Sequence, residues 1–430
     1  MQNLPLSCAL DADPLDDRIT RLDGVLLMPE GLDTIQFTHG LHRFPGKFIP
    51  NIVRYIFREV LPSAKNRVLY DPFCGSGTTL VEAALSGRPF IGKDLDPLAI
   101  LISQCKTNCL NMAQISELEE YWVGHAFDRP SPKYIPDVPN LSHWFSERAA
   151  AELSSIKERC LQLPPDLARF SLVVFSSIIR RVSNADDQTQ KTYVSHTLPK
   201  HPPLPSGLFP IFMKRALRSM QSYSMAVPKS IRGRVLLGDS RIEDTTLDYH
   251  DVLTSPPYID SIDYVYNQLL EYYWLMPELG FSSQQAVRAF RLQPMGATRY
   301  SPEELEQLNA IGTNAGIAEQ LNTICAEIGK ISPKEEKVVR SYFLDFARHI
   351  EIIRRQQKKG GYYVCVIGDS YIRGRTVPTG DIISSMFKVR GYSLVDMFSY
   401  EIRRHYMKFP RRSNSGKIKT DNILIFRLVE

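Results

Sequence analysis

The chain has 430 residues, of which 43% are hydrophobic and 23% are charged. This length exceeds one ordinary domain, and the composition supports a buried core, so a disordered chain is excluded. Lys and Arg total 52 against 47 Asp and Glu, and the resulting charge of +5 permits a polyanionic partner without requiring one.

The seven cysteines favour neither a disulfide framework nor a zinc site. The first residues lack the basic and apolar regions of a secretory signal, and no apolar run is long enough to span a membrane. We therefore expect a soluble, cytoplasmic protein without a bound metal.

The first predicted elements alternate between strand and helix. Residues 1–35 are polar and Asp-rich, and we expect a loosely structured N-terminal arm. A buried strand at 67–71 precedes a Gly-Ser-Gly turn and a helix at 78–85, and a second strand at 89–93 leads to a helix that opens at Pro97. This alternation is typical of a parallel, doubly wound α/β sheet.

The alternation then breaks twice. We expect helices at 143–160, 166–182 and 207–225, strands at 234–238 and 250–254, a helix at 262–275, a long helix at 333–358, and strands at 362–367, 393–402 and 422–428. The predicted units are an arm (1–35), a cofactor-binding half of the core (36–111), a helical insertion that is a candidate target-recognition region (112–230), the reacting-centre strands (231–275), a second insertion (276–332), and a C-terminal part of the core with a basic hairpin loop (333–430).

The first motif is the turn Asp71-Pro-Phe-Cys-Gly-Ser-Gly77, between a strand and a helix. Glycines there let a ligand approach the backbone, and the helix start offers free N–H groups. Asp94 ends the next strand, where an acid binds ribose hydroxyls in nucleotide sites. Because neither a dinucleotide nor a triphosphate fingerprint is present, we expect an adenosine ligand without phosphate. A plain tight turn is the alternative.

The second motif is Thr254-Ser-Pro-Pro-Tyr258, directly after an apolar strand. The prolines fix the backbone at the carboxyl edge of the sheet, where open sheets bind ligands. Ser255 and the Pro256 carbonyl can accept hydrogen bonds from an exocyclic amino group while the Tyr258 ring stacks on a base. A polyproline loop is the alternative.

With Thr38–Pro50, Gly92-Lys-Asp94 and Gly238-Asp-Ser240, these blocks resemble the S-adenosylmethionine-dependent DNA amino-methyltransferases, and the Ser-Pro-Pro-Tyr form resembles their cytosine-N4 branch. The resemblance implies a doubly wound, mostly parallel, seven-stranded methyltransferase sheet with helical insertions. Its blocks cover parts of residues 38–275 and a later strand at 362–370, but neither insertion.

The resemblance also implies residue roles. S-adenosylmethionine would be the cofactor, with Asp94 at its ribose and Asp239 at its adenine. Ser255, Pro256, Pro257 and Tyr258 would hold a flipped cytosine for direct methyl transfer, without a covalent intermediate. Ser255 would also contact the cofactor. The remaining cofactor-binding candidates are His39, Lys47 and Pro50 at the methionine end, and Asp71, Phe73, Gly75, Gly77 and Thr78 around the turn.

Duplex DNA is the expected partner, and phosphate contacts require basic side chains. For each candidate segment, a solvated or ordinary loop is the alternative. The candidates are Arg180, Arg181 and Asn184 in the first insertion, Arg373 and Arg375 after the late strand, and Arg403, Arg404, Lys408, Arg411 and Arg412 in the basic loop.

Several functions remain open beside cytosine-N4 methylation, for which we expect a restriction-modification setting and a possible partner endonuclease. Adenine-N6 methylation would use the same pocket, an RNA base methyltransferase carries related blocks, and an inactive nucleic-acid-binding subunit could retain the fold. Cytosine-C5 methylation is disfavoured, because the sequence has no Pro-Cys dipeptide for its nucleophile.

Overall fold

The structure is a computed structural model. It describes residues 19–62, 66–123, 131–187, 189, 191–195, 200–259, 263–297, 300–301, 315–402 and 420–429. No helix in these ranges is long and apolar enough to cross a membrane.

Among the described residues, a nine-stranded sheet forms the centre of the molecule, in the order β1-β2-β10-β11-β7-β6-β3-β4-β5. The strands are β1 (Thr20–Leu22), β2 (Val25–Leu27), β3 (Leu69–Asp71), β4 (Phe90–Asp94), β5 (Gly233–Leu237), β6 (Asp251–Thr254), β7 (Tyr362–Ile367), β8 (Ser370–Ile372), β9 (Arg375–Val377), β10 (Tyr392–Glu401) and β11 (Thr420–Leu428). Strands β8 and β9 form a separate hairpin.

The predicted sheet lies within this larger one. Strands β7, β6, β3, β4 and β5 are parallel neighbours, and β11 and β10 continue the sheet antiparallel. These seven strands confirm the doubly wound, mostly parallel prediction. They also place the ends of β3, β4, β5 and β6, which carry both motifs, along one edge.

Helices cover the sheet and form the insertions. They are α1 (Pro50–Glu59), α2 (Thr78–Leu85), α3 (Pro97–Thr107), α4 (Met112–Val123), α5 (Leu141–Trp144), α6 (Glu147–Gln162), α7 (Pro165–Ile179), α8 (Pro205–Ala226), α9 (Tyr264–Asn267), α10 (Leu269–Trp274), α11 (Gln284–Phe290), α12 (Ala315–Ile331), α13 (Pro333–Gln356) and α14 (Thr379–Lys388), with a 3₁₀ turn at Phe37–Gly40.

The two faces of the sheet bury separate hydrophobic layers. Along β7, Val364 and Val366 pack into one layer with the helices of the first insertion. Tyr363, Cys365 and Ile367 pack into the other layer, which contains α12, α13 and α14. Because strand side chains alternate between faces, the near-continuous apolar sequence of β7 reflects burial on both sides.

Local sequence accounts for where several helices begin. Pro97 occupies the first turn of α3, where its missing N–H costs nothing, and the Asp96 side chain accepts hydrogen bonds from the backbone of Leu98 and Ala99. Ser146 and Ser283 cap α6 and α11 in the same way. The observed start of α3 therefore agrees with the prediction from Pro97.

Two expectations differ from the structure. Part of the predicted loose arm forms the hairpin β1–β2, which turns at Gly24 and pairs with β10. The predicted helix at 262–275 is two short helices, because Gln268 leaves helical geometry with φ −119° and ψ 26°. Pairing with a distant strand and a single distorted residue are not visible in local periodicity.

We expect Gly77→Ala to destabilise the fold more than Gly24→Ala. Both glycines have φ near +78°, but an added Cβ at Gly77 would lie 2.8 Å from the Ser103 Cβ, whereas Gly24 faces open space. Strain alone should lower the free energy of unfolding by about 1–2 kcal/mol at Gly24, and strain plus overpacking by about 2–4 kcal/mol at Gly77. Urea denaturation measures both, and equal losses would contradict the packing role of Gly77.

Candidate active site

A cavity that is partly open to solvent lies along the edge of the sheet that carries both motifs. Residues from seven parts of the chain line it. They are 44–48, 71–76, 78–79, 94–96, 239–241, Ser255, Pro257, Tyr264, Val265, Phe290, Pro294 and Met295. The cavity therefore joins the glycine turn, the second motif and the second insertion. We call the second motif, Thr254-Ser-Pro-Pro-Tyr258, the reacting-centre motif.

Asp71 connects the two motifs. Its side chain accepts hydrogen bonds from the Thr254 hydroxyl at 2.6 Å and from the Phe73 backbone at 3.2 Å. Burial raises the pKa of Asp71 to about 6, although these hydrogen bonds oppose the rise. The carboxyl group thus ties the end of β3 to the end of β6 and fixes the position of Ser255 relative to the glycine turn.

Asp94 and Asp96 form an acidic pair on one wall of the cavity. Asp94 accepts hydrogen bonds from the backbone N–H of Gly75 at 2.7 Å and of Asp96 at 2.9 Å. Burial, followed by repulsion from Asp96, raises the pKa of Asp94 to about 7. The buried Oδ2 of Asp96 has no hydrogen-bond partner among the described residues. These carboxylates are suited to accept hydrogen bonds from the hydroxyls of a ligand.

A further acid of the cavity lining is Asp239. It pairs with Arg241 at 2.7 Å, and Arg241 also pairs with the buried Asp345 of α13 at 2.8 Å. Burial alone would raise the pKa of Asp239, but the hydrogen bonds and charge of Arg241 outweigh it and hold the pKa below its usual value. Asp239 therefore remains an anionic acceptor.

The wall behind Asp239 and Phe73 rests on a buried histidine. His349 lies 4.8 Å from the Phe73 ring, and its Nε2 is 2.8 Å from the Tyr363 hydroxyl. Burial lowers the pKa of His349 to about 3, so the ring is neutral at physiological pH. A neutral, packed ring supports the Phe73 side chain without adding a positive charge to the cavity.

The segment 44–48 closes another side of the cavity. Phe44 stacks on Tyr264 with ring centroids 6.0 Å apart. Lys47 donates hydrogen bonds to the backbone carbonyls of His39 at 2.9 Å and Thr34 at 3.2 Å, and burial lowers its pKa to about 8. The backbone carbonyls thus orient Lys47 on the cavity wall.

The reacting-centre motif leaves β6 at the cavity edge. Ser255 and Pro257 line the cavity, and the Tyr258 hydroxyl donates a hydrogen bond to Asp421 at 2.8 Å. Burial and the negative charge of Asp421 raise the pKa of Tyr258 well above its usual value, opposed by a hydrogen bond with Ser255. The motif is therefore anchored at its tyrosine end to strand β11.

The cavity brings together most, but not all, of the predicted site residues. Those that line it are Lys47, Asp71, Phe73, Gly75, Thr78, Asp94, Asp239, Ser255 and Pro257; those outside its lining are His39, Pro50, Gly77, Pro256 and Tyr258. His39 instead contacts buried Glu82 at 2.6 Å, while Pro50 opens α1 and Gly77 allows α2 to approach α3.

Arg180 does not face DNA, which corrects its prediction as a contact residue. Only 8% of its surface is exposed, and its guanidinium donates hydrogen bonds to the backbone carbonyls of Asp186, Thr189, Lys191 and Asn267. A fork of several N–H donors is suited to such a set of carbonyls. Arg180 therefore organises the polar loop from inside.

The other DNA-contact candidates are more accessible. Arg181 is exposed and stacks over Phe212, whereas the Asn184 side chain donates to the backbone carbonyl of His143. Arg373 and Arg375 belong to the β8–β9 hairpin and pair with Glu335 and Glu327 of neighbouring helices. Arg403, Arg404, Lys408, Arg411 and Arg412 lie outside the described residues.

We expect Arg180→Ala to lower the free energy of unfolding by about 2–4 kcal/mol, because it removes a largely buried side chain together with its hydrogen bonds to four backbone carbonyls. The adjacent Arg181→Ala removes one exposed stacking contact and should cost less than about 1 kcal/mol. Thermal and urea unfolding of both variants test the difference. Equal stability of the two variants would contradict the internal role of Arg180.

Sequence reasoning missed several residues of the cavity. Asp96 lies two residues after Asp94, and this spacing was the one sequence feature that could have indicated a place for it in the cavity. The second insertion contributes Phe290, Pro294 and Met295, and no sequence feature indicated that these residues would line the cavity. They are held there through Asp345, which accepts hydrogen bonds from Gly296 and Tyr300.

The cavity residues fit a methionine-linked adenosine. The acidic pair includes an unpartnered buried oxygen for ribose hydroxyls, Asp239 is a further acceptor, and the Phe73 side chain offers an apolar surface. The turn holds no phosphate-binding glycine fingerprint, in agreement with a ligand that lacks phosphate. The fold and the cavity thus have the features expected of an S-adenosylmethionine-dependent methyltransferase.

Comparison with known proteins agrees with this class. Residues 37–104 match the family model described as DNA methylase. The chain is 27% identical over 426 residues to the Type II methyltransferase M.MvaI of Kocuria varians, covering 91% of this chain and 88% of that protein. It is 35% identical over 80 residues to the Type II methyltransferase M.MjaII of Methanocaldococcus jannaschii, covering 19% of this chain and 15% of that protein.

These matches confirm the resemblance to the S-adenosylmethionine-dependent DNA amino-methyltransferases. S-adenosylmethionine is the methyl donor, and DNA methylation is the activity that they support. A solved structure, the rRNA methyltransferase aviRa from Streptomyces viridochromogenes, covers 90% of this chain and 88% of its own at 11% identity, but a TM-score of 0.29 is too low to bear on the substrate.

Proposed function

We propose that the protein transfers a methyl group to the exocyclic N4 amino group of a cytosine flipped out of duplex DNA. The observation that carries this proposal is the position of Ser255 and Pro257 on the same cavity as Asp94 and Phe73. A target base at the motif and a nucleoside at the acidic pair would then face each other across one space. Ser-Pro-Pro-Tyr is the form that resembles the cytosine-N4 branch.

The chemistry requires an acceptor for the amino group. The lone pair of an exocyclic amine is delocalised into the ring, so the amine is a poor nucleophile. The Ser255 hydroxyl, which lines the cavity, would accept a hydrogen bond from this amino group, favour a pyramidal nitrogen and stabilise the positive charge that develops during transfer. S-adenosylmethionine supplies an electrophilic methyl group when bound.

The cavity residues contribute position rather than covalent chemistry. The Asp71 hydrogen bond to Thr254 fixes Ser255 relative to the glycine turn, and Asp94 and Asp96 receive the ribose hydroxyls. Holding both reactants in line removes much of the entropic cost of a bimolecular step. None of the seven cysteines follows a proline, so the arrangement supports direct transfer.

The proposal also covers how the protein contacts the DNA backbone and in which biological system it acts. Exposed Arg181, Arg373 and Arg375 would contact the phosphate backbone. Because two relatives are named Type II methyltransferases, we place the activity in restriction-modification, where a cognate endonuclease would cut unmethylated sites.

Product analysis tests the base assignment. Duplex DNA is methylated with S-adenosylmethionine, digested to nucleosides and analysed by mass and chromatography, with an RNA substrate run in parallel. We expect N4-methylcytosine from DNA and no transfer to RNA. N6-methyladenine would replace the cytosine assignment, transfer to RNA alone would replace the DNA assignment, and absence of S-adenosylmethionine binding would favour an inactive binding subunit.

A further inference from the structure

A buried carboxylate lies behind the reacting-centre motif, outside the cavity lining. Asp421, at the start of β11, accepts a hydrogen bond from the Tyr258 hydroxyl at 2.8 Å and another from the Tyr400 hydroxyl at 2.7 Å. Asp421 is 6% exposed. Its two oxygens therefore hold two tyrosines that come from different parts of the chain.

The geometry of the sheet fixes this carboxylate. Asp421 and Tyr400 are directly opposed residues of β11 and β10, so their side chains emerge on the same face. Tyr400 is buried, and its hydroxyl occupies the second oxygen of Asp421. The other oxygen accepts the hydrogen bond from Tyr258, which arrives from the loop after β6, so the two hydrogen bonds use separate oxygens of one carboxylate.

We propose that Asp421 is a positioning residue for methyl transfer: through its hydrogen bond it fixes the Tyr258 ring, and with it the loop that carries Ser255, at the target base. This proposal rests on the proposed function of the same motif. Asp421 itself is not part of the cavity lining.

The physical argument concerns the freedom of the tyrosine ring. The loop after β6 has two prolines, which restrict its backbone but leave the Tyr258 side chain free to rotate. A charge-assisted hydrogen bond from the hydroxyl selects one orientation. A tyrosine ring whose orientation is already fixed loses less conformational entropy when a flipped base stacks on it. This advantage is greatest in the transfer step, where the base must be aligned with the methyl group.

The test compares four variants of the full-length protein. Asp421→Asn keeps the shape but replaces one acceptor oxygen by an amide donor, and Tyr258→Phe keeps the ring but removes its hydroxyl. The third variant combines both changes. Tyr400→Phe is the matched control, because it removes the other hydrogen bond of Asp421 and leaves the Tyr258 ring and hydroxyl in place.

The measured quantities are kcat, KM for duplex DNA, the dissociation constant of S-adenosylmethionine, and Tm. We expect Asp421→Asn and Tyr258→Phe each to lower kcat about tenfold, as loss of about one hydrogen bond implies. The double variant should lose no more than the worse single variant, because both remove one interaction. The dissociation constant of S-adenosylmethionine should change less than about twofold in all four variants, because none of them alters the cofactor cavity. The kcat of Tyr400→Phe should also change less than about twofold, even where Tm falls, because this variant keeps the hydrogen bond between Tyr258 and Asp421.

Three results would overturn the proposal: full kcat in Asp421→Asn, a double variant whose losses multiply, or a kcat loss in Tyr400→Phe as large as in Asp421→Asn. Failure of the proposed function looks different, since the unmodified protein would then yield no N4-methylcytosine. If the product were N6-methyladenine, the same ratios of kcat would still test Asp421.

Discussion

Ser255→Ala is expected to lower the turnover number for methyl transfer by about 100-fold, the typical effect of removing one group that stabilises transition-state charge. The dissociation constant of S-adenosylmethionine should change little, because the alanine retains the shape of the loop between Thr254 and the prolines. The hydrogen bond from the Thr254 hydroxyl to Asp71, 2.6 Å long in the unmodified protein, does not involve Ser255, so we expect the cavity to keep its geometry. Single-turnover kinetics measure the chemical step, and calorimetry measures the affinity.

Asp94→Ala is the reciprocal variant. It removes the acceptor of the Gly75 and Asp96 N–H groups and should weaken cofactor binding, with a smaller effect on the chemical step at saturating cofactor. The reverse pattern, in which Ser255→Ala loses affinity and Asp94→Ala loses only turnover, would show that we have exchanged the roles of the two motifs.

Cofactor affinity is expected to weaken as the pH falls through about 7. Burial and the neighbouring Asp96 raise the pKa of Asp94 to about 7 in the cofactor-free protein, and ribose hydroxyls donate best to the ionised carboxylate. A ligand that requires the ionised form must expel the proton at lower pH. The dissociation constant should therefore rise, approaching about tenfold per pH unit well below the pKa.

Calorimetry between pH 6.5 and 7.5 tests this dependence, and the upper limit avoids most of the titration of Lys47, whose pKa burial lowers to about 8. The lower limit avoids most of the titration of Asp71, whose burial raises its pKa to about 6. Asp94→Asn is the control, because it cannot ionise and should bind more weakly but with little pH dependence. A pH-independent dissociation constant in the unmodified protein would contradict the role of Asp94.

The same carboxyl group affects the stability of the cofactor-free protein in the opposite direction. Its folded pKa of about 7 lies above the ordinary value of 3.8, so the folded state binds the proton more tightly than the unfolded state does. The contribution of Asp94 to stability is therefore largest below about pH 4 and declines as the pH rises toward 7. Cofactor binding, which favours the ionised form, offsets this decline.

The doubly wound core could be predicted because its signals are local. The strand around Tyr70, the glycine turn, the helix at Thr78–Leu85 and the acid at Asp94 lie within 30 residues, and each follows from burial, turn geometry or capping. The reacting-centre motif was likewise readable, since two prolines directly after an apolar strand restrict the backbone in a recognisable way.

The same reasoning did not place side chains that depend on distant partners. Arg180 has the sequence of a surface cation, but a polar loop folds around it and its guanidinium binds backbone carbonyls. Phe290 and Met295 belong to an insertion without a recognisable motif, yet Asp345 holds the adjoining segment against the cavity.

The sequence by itself determined the parallel core, the cofactor turn with its acid, and the motif at the reacting centre. Each of those features depends on signals that are local along the chain. Only the tertiary structure decided which predicted residues share the cavity, that Arg180 is internal, and that Asp421 meets Tyr258 across 163 positions of sequence. Hydrogen bonds between distant segments leave no periodic or spacing signal, so they become visible only when the strands are assembled.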